Sequence, residues 1–234
     1  MLEIRNYSKS YGNKVAVKNL TLTIENGDIY GFIGHNGAGK TTTIKAITGI
    51  MPIEQGDILL DGVSVKRSPT ECKKKMAYIP DTPDIYESMS GLKFIKFICD
   101  IYEVPVKTRE NNIKKYAESF EMLGDLTAPI SSYSHGMRQK INIIAALAHE
   151  PKLMVLDEPF VGLDPKAAHI LKEYMRQMCS TGASIFFSTH VLEVAEKLCN
   201  KIAIIKSGEL IRSGPIAEVR GDSSLEDIFL ELSE

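Results

Sequence analysis

Residues 34–41 read Gly-His-Asn-Gly-Ala-Gly-Lys-Thr, directly after the apolar run Ile29-Tyr30-Gly31-Phe32-Ile33 and before a helix-like stretch over 42–48. A strand, a glycine-rich loop ending in Lys-Thr and a helix, in that order, make the setting of a phosphate loop. Backbone N–H groups at the start of such a helix converge on one small volume. The helix dipole adds partial positive charge there, so the natural occupant is a di- or triphosphate. Gly34, Gly37 and Gly39 let the backbone approach phosphate with no side chain in the way. Lys40 is expected to reach the β- and γ-phosphates, and the Thr41 hydroxyl to coordinate Mg2+. Asn36, Ala38 and Thr42 complete the expected nucleotide-binding set. A chance glycine-rich turn is the competing reading, and the flanking strand and helix argue against it.

A second apolar run, residues 153–156, ends in Asp157-Glu158-Pro159. An apolar strand that ends this way delivers two carboxylates to the carboxyl edge of a sheet, where open α/β sheets bind their ligands. Asp157 then suits Mg2+, through water, and Glu158 suits polarisation of an attacking water. The plain alternative is that both acids cap the following segment.

The remaining pattern is that of an α/β protein. Residues 2–7, 20–24, 58–60 and 76–79 are strand-like, with Asn26-Gly27 and Asp61-Gly62 as turn signals. From 91 to 123 the period becomes helical: Leu92, Ile95, Ile98 and Ile101 make one stripe, and Ile113, Tyr116, Ala117 and Phe120 another, with Pro105 between. Strands return at 153–156, 184–187 and 202–205, separated by helix-like segments. Such alternation predicts a mixed or parallel core sheet with helices on its faces. Residues 84–147 then form a helical insert between sheet-forming parts at 1–83 and 148–234.

Composition excludes several classes. The 234 residues carry 28 Lys plus Arg against 30 Asp plus Glu, a net charge of −2, so no whole-domain field grips nucleic acid. Cys72, Cys99, Cys179 and Cys199 have no Cys-x-x-Cys spacing and read as reduced, buried thiols of a cytosolic protein rather than a zinc site. Residues 1–9 carry charges throughout, unlike a signal peptide, and no apolar run is long enough to span a bilayer. Any membrane part is expected from other chains.

Between the phosphate loop and the acidic pair lies Tyr133-Ser134-His135-Gly136-Met137-Arg138-Gln139-Lys140, followed by a helix-like run over 141–148. Ser134 is a good N-cap and Gly136 permits close backbone approach, which makes a second helix start suited to anions. Set in this order, these pieces resemble the ATP-binding cassette (ABC) ATPases, over nearly the whole chain. The segment 133–140 is similar to that family's signature, usually Leu-Ser-Gly-Gly-Gln; it keeps Ser134 and Gly136 and departs at Tyr133, His135 and Met137. Val161-Gly162-Leu163-Asp164-Pro165 resembles the D-loop, which makes Asp164 a nucleotide-side residue, and Ser188-Thr189-His190 resembles the switch histidine at a strand end. Alone, His190 reads as a surface or capping residue; the resemblance gives it a hydrogen bond to the γ-phosphate and a hold on Glu158. Alone, Tyr11 reads as a residue flanking the turn at Gly12; the resemblance makes it the aromatic that stacks on adenine. Asp81 stands where the family has glutamine, and reads either as a contact to Mg2+ or its water or as a turn residue between Pro80 and Pro83.

The resemblance implies a phosphate-loop NTPase fold with an N-terminal antiparallel β subdomain and an inserted α-helical subdomain. It implies ATP and Mg2+ as cofactors and a head-to-tail dimer with a second copy or a paralogous ATPase. One subunit supplies Lys40, Thr41, Asp157 and Glu158, and the other Ser134 and Gly136. The wording Tyr-Ser-x-Gly-Met-Arg-Gln and the C-terminal Ser224-Leu225-Glu226-Asp227-Ile228-Phe229 are similar to bacterial exporter ATPases of the drug, antibiotic or bacteriocin-immunity kind. That implies a cytoplasmic protein, peripheral on the inner face of the membrane through an integral permease, with no nucleic acid expected. Residues around 86–94 are then the expected docking surface for that permease. The alternative is a non-transport ABC ATPase acting on ribosomes or nucleic acid. Such proteins carry a long coiled-coil insert, or two cassettes and a basic linker, and the chain has neither. A GTPase would show Asn-Lys-x-Asp, which is absent.

Overall fold

In the computed structural model, which describes residues 1–83, 85–221 and 223–231, the chain opens with two long strands, β1 (Leu2–Tyr11) and β2 (Lys14–Ile24). They pair antiparallel across a turn in which Gly12 has a positive φ, and Leu2, Ile4 and Tyr7 point inward. The chain continues through β3 (Ile29–Ile33), α1 (Lys40–Ile47), β4 (Gln55–Leu60), β5 (Val63–Ser64), α2 (Pro69–Lys73) and β6 (Met76–Ile79). The helical segment follows as α3 (Gly91–Ile101), α4 (Val106–Ser119), a single 3-10 turn at Ile130–Ser132 and α5 (His135–Ala148). After it come β7 (Leu153–Asp157), α6 (Pro165–Ser180), β8 (Ser184–Thr189), α7 (Leu192–Leu198), β9 (Lys201–Lys206), β10 (Glu209–Pro215), α8 (Ile216–Arg220) and α9 (Leu225–Glu231). Asp84, the expected start of the helical insert, lies outside the described residues.

Two sheets result. One is antiparallel, in the order β2-β1-β4-β5, and the other is six-stranded, in the order β10-β9-β3-β8-β7-β6. In the larger sheet every neighbour pair from β9 to β6 is parallel and only β10 joins antiparallel, so the core sheet is mixed. Its central strands are apolar on both faces, as strands sandwiched between layers must be. Phe32, Val155 and Phe186 face the antiparallel sheet and α1, while Ile33, Leu156 and Phe187 face the helices α5, α6 and α7. Each such buried side chain contributes roughly 1.5–3 kcal/mol of transfer free energy.

The parallel register aligns the carboxyl ends of three strands. Ile33 pairs with Thr189 across β3 and β8, and Asp157 with Ser188 across β7 and β8. The phosphate loop, the acidic pair and the segment through His190 therefore leave the sheet at one edge, and this is what positions the site.

Most strand and helix expectations hold, and the departures have physical reasons. β5 and β10 are absent from the sequence reading because β5 is very short and β10 is an edge strand whose residues are mostly exposed or half-buried. On α3 the stripe is displaced: Phe94, Ile95 and Cys99 are buried, whereas Leu92 and Ile98 are half-buried and Ile101 is 53% exposed. The second stripe is buried in full, through Ile113, Tyr116, Ala117 and Phe120.

Candidate active site

β3 ends at Ile33 and the loop 34–39 turns the chain into α1. The turn is closed by backbone bonds from Ala38 N to His35 O (3.1 Å) and from Thr43 N to Gly39 O (3.0 Å). Gly39 is the residue before the helix, at φ 110°, and a Cβ there would sit 2.5 Å from Ala16 O. A Cβ on Gly34 would lie 2.5 Å from Ile205 O. Both positions therefore exclude side chains on contact, and Gly39 on conformation as well. His35, Asn36 and Gly37 are exposed, while Ala38 is buried.

Lys40, only 6% exposed, donates from Nζ to Gly34 O (2.6 Å) and His35 O (3.3 Å), and lies 3.7 Å from Glu158 Oε1. The ammonium is held by the loop that it would leave to meet a phosphate. The Thr41 hydroxyl donates to Asp157 Oδ2 at 2.7 Å, which joins the helix start to the end of β7. Asp157 is buried, and its other oxygen accepts a hydrogen bond from the Ser188 hydroxyl of β8. That same hydroxyl accepts from Glu158 N at 3.1 Å. Ser188 thus ties both acids to the neighbouring strand, a role the sequence reading did not assign. The available signal was a serine inside the apolar strand Ser-Ile-Phe-Phe-Ser-Thr.

Glu158 sits at φ 47°, in the left-handed region, a conformation that costs energy in a non-glycine residue and clusters at functional sites. Its Oε1 is buried without a hydrogen bond of acceptable geometry. His190 Nδ1 nevertheless lies 3.0 Å from it. The contact is one of proximity, and the oxygen keeps acceptor capacity.

A cleft of about 280 Å³ lies over these groups, lined by Tyr11, Asn36, Gly37, Gly39, Lys40, Thr41, Thr42, Asp81, Asp157 and Glu158 among others. Tyr11 is half exposed at its mouth, with its hydroxyl 3.1 Å from Met51 Sδ. Asp81 is exposed, and its carboxylate accepts from Thr82 N at 2.8 Å, so it shapes the turn while facing the cleft. Burial foremost, then the Asp157 and Asp81 carboxylates, push the Tyr78 phenol far above its usual range and keep it neutral. Among the described residues no group of three or more His, Cys, Asp or Glu could hold a metal by itself. Thr41, Asp157 and Asp81 are oxygen donors, the chemistry that Mg2+ prefers, and a bound phosphate would complete the set.

Ser134, Gly136 and Asp164 do not line this cleft. Ser134 caps α5, accepting from Met137 N at 3.3 Å, and is exposed. The start of α5 packs on the loop before α6: a Cβ on Gly136 would meet Gly162 O at 2.9 Å. Lys140 Nζ lies 2.7 Å from Asp164 Oδ2. Asp164 also caps α6 by accepting from Ala167 N at 2.8 Å. The Lys140 bond first, and that cap second, hold the Asp164 carboxyl below the usual carboxylate range.

The ABC transporter family model matches residues 17–161. The chain is 35% identical over 239 residues to the ABC-type transporter ATP-binding protein EcsA of Bacillus subtilis, covering 100% of this chain and 97% of that protein. It is 35% identical over 218 residues to the linearmycin resistance ATP-binding protein LnrL of the same organism, covering 92% of this chain and 69% of that one. A solved ATP-binding subunit of an ABC transporter superposes with a TM-score of 0.96 at 32% identity, covering 100% of both chains. Among the described residues no helix is long and apolar enough to cross a membrane. A phosphate loop braced to an acidic strand end, on a fold shared along its whole length with such subunits, places this chain in the ABC transporter family, as an ATP-binding and ATP-hydrolysing cassette.

Proposed function

We propose that this ATPase drives export as one of a head-to-tail pair, with a second copy or a paralogous ATPase, bound to a separate integral permease on the cytoplasmic face of the membrane. The observation that carries the pairing is a separation. Lys40, Thr41, Asp157 and Glu158 line one cleft, and outside it stand Ser134 and Gly136 at the start of α5 and Asp164 at the start of α6. A triphosphate that touches both sets needs two chains. Its negative charges cannot enter a dry interface without donors from both sides.

In that arrangement Lys40 exchanges the Gly34 and His35 carbonyls for β- and γ-phosphate oxygens. Tyr11 stacks on the adenine, and backbone N–H groups from Asn36 to Thr42 cradle the phosphates. Thr41, Asp157 and Asp81 would hold Mg2+, which neutralises phosphate charge when bound. Glu158, its backbone tied to Ser188, polarises the attacking water, and His190 steadies the Glu158 side chain beside the γ-phosphate. Loss of that phosphate removes the bridge between the chains and lets them part, a motion a permease can use.

The segment 84–147 is the part proposed to meet the permease. It presents Tyr86, Phe97 and Ile101 to solvent, with the Tyr86 and Phe97 rings edge to face at 5.8 Å. The similarity to a linearmycin resistance protein supports export. No observation favours a ribosomal or nucleic-acid role. The test is purification from membranes under mild detergent: one integral membrane protein is expected to accompany the chain. Recovery with ribosomes or DNA instead would contradict the proposal.

A further inference from the structure

The C-terminal helix α9 has no part in the chemistry above, yet it touches the phosphate loop. Its start is closed by a reciprocal cap: the Ser224 hydroxyl donates to Asp227 Oδ2 (2.6 Å) and accepts from Asp227 N (3.1 Å). Such a cap satisfies free N–H groups at the start of a short helix. Leu225 and Ile228, 1% and 3% exposed, fix it in the core, and it packs on α7. That orientation brings the Phe229 ring to within 4.3 Å of the His35 ring, centroid to centroid, at 48°.

His35 is not an arbitrary point on the loop. Its carbonyl accepts both from Ala38 N, which closes the turn, and from Lys40 Nζ. On its other side, α9 rests on the helix that begins two residues after His190, whose ring lies beside Glu158. The helix therefore touches two segments that adjoin the cleft, the phosphate loop at His35 and the helix α7 that follows His190. A loop whose N–H groups already converge binds phosphate more tightly than one that must first be ordered.

We propose that Phe229 is a positioning residue for the phosphate loop: its ring, tilted against that of His35, holds the loop in the conformation that accepts ATP. The inference rests on the ATP reading of this cleft. An aromatic contact of this kind corresponds to about three- to ten-fold in affinity.

The experiment is a double-mutant cycle on the full chain, with ATP binding measured by calorimetry in the presence of Mg2+ for wild type, Phe229→Ala, His35→Ala and the double variant. Each single substitution is expected to weaken ATP binding about three- to ten-fold, with the double variant no weaker than the weaker single and Phe229→Tyr near wild type. A lowered melting temperature with unchanged affinity in Phe229→Ala would overturn the proposal, leaving a purely structural role. Single effects that multiply in the double variant would overturn it too. If Phe229→Ala does not fold, Phe229→Leu and Phe229→Tyr take its place in the cycle: Leu weakened and Tyr unchanged supports the proposal, and equal affinities refute it. Wild-type protein that binds no ATP would refute the ATP reading rather than the contact.

Discussion

The phosphate-loop edge and the start of α5 are both helix N-termini suited to anions, but they are built in opposite ways. At the first, Thr41, Asp157, Ser188 and the Glu158 N–H form one connected set of hydrogen bonds, with Asp157 and Ser188 fully buried, and Lys40 is held beside them by the loop carbonyls. At the second, Ser134 is exposed and the nearest ties, Gly136 against Gly162 and Lys140 to Asp164, fix the helix to a surface loop. A site complete within one chain has no need of a second helix end left open to solvent. On the proposed account the contrast means that the two regions are halves of different sites, each finished by another copy.

The largest expected effect comes from breaking the buried half. Glu158→Gln should lower turnover by roughly 10²–10⁴-fold, the usual contribution of a general base, with ATP binding retained. Steady-state hydrolysis beside calorimetric binding checks this, and turnover within a factor of a few of wild type would remove Glu158 from its role. Lys40→Ala should lose about 10²–10³-fold in turnover by removing a charge aimed at the phosphates, with a circular dichroism spectrum like that of wild type.

A second way to sharpen the comparison uses the far end of α5. His149 follows that helix and stacks on Tyr102 with ring centroids 3.7 Å apart. Burial pushes its pKa down from 6.5 to about 4. Above pH 6.5 the ring is neutral in both folded and unfolded chains and adds no pH dependence. As pH falls from 6.5 towards 4 the unfolded chain takes up the proton and the folded chain does not. Stability is lost in that window, on the order of 3 kcal/mol at most. In His149→Phe the acid limb between pH 6.5 and 4 should be shallower by that amount, read from urea melts at several pH values. An identical limb would show that His149 is protonated in the fold.

At the exposed half the effects are smaller. Ser134→Ala removes the cap of α5 and should cost about 1 kcal/mol of stability. On the proposed account it also weakens ATP-dependent association, while single-chain ATP binding is unchanged. Equal loss of both would merge the two regions into one site. The smallest effect is expected at Asp81. Asp81→Ala should raise the Mg2+ needed for half-maximal turnover a few-fold, and an unchanged Mg2+ dependence would leave Asp81 a turn residue.

Those two halves were not equally legible in the sequence. The phosphate loop and the acidic pair stand out because each needs specific residue types at the end of an apolar strand, and parallel register brings such ends together. Ser188 was hidden because its role depends on which strand lies beside β7, a pairing that joins residues far apart in the chain. β10 was hidden because an edge strand buries little and so carries no apolar signal. On α3 the stripe through Ile101 fits the helix period, but packing against α5 selected the neighbouring face with Phe94 and Cys99. The contact of Phe229 with His35 spans nearly the whole sequence, and nothing in local pattern announces it.

The most direct test of the two-half account is the mass of Glu158→Gln in solution, measured by light scattering with and without ATP and Mg2+. The account predicts a monomer without nucleotide and a dimer with it, reverting when Ser134→Ala is added. A particle that stays monomeric at saturating ATP would contradict it.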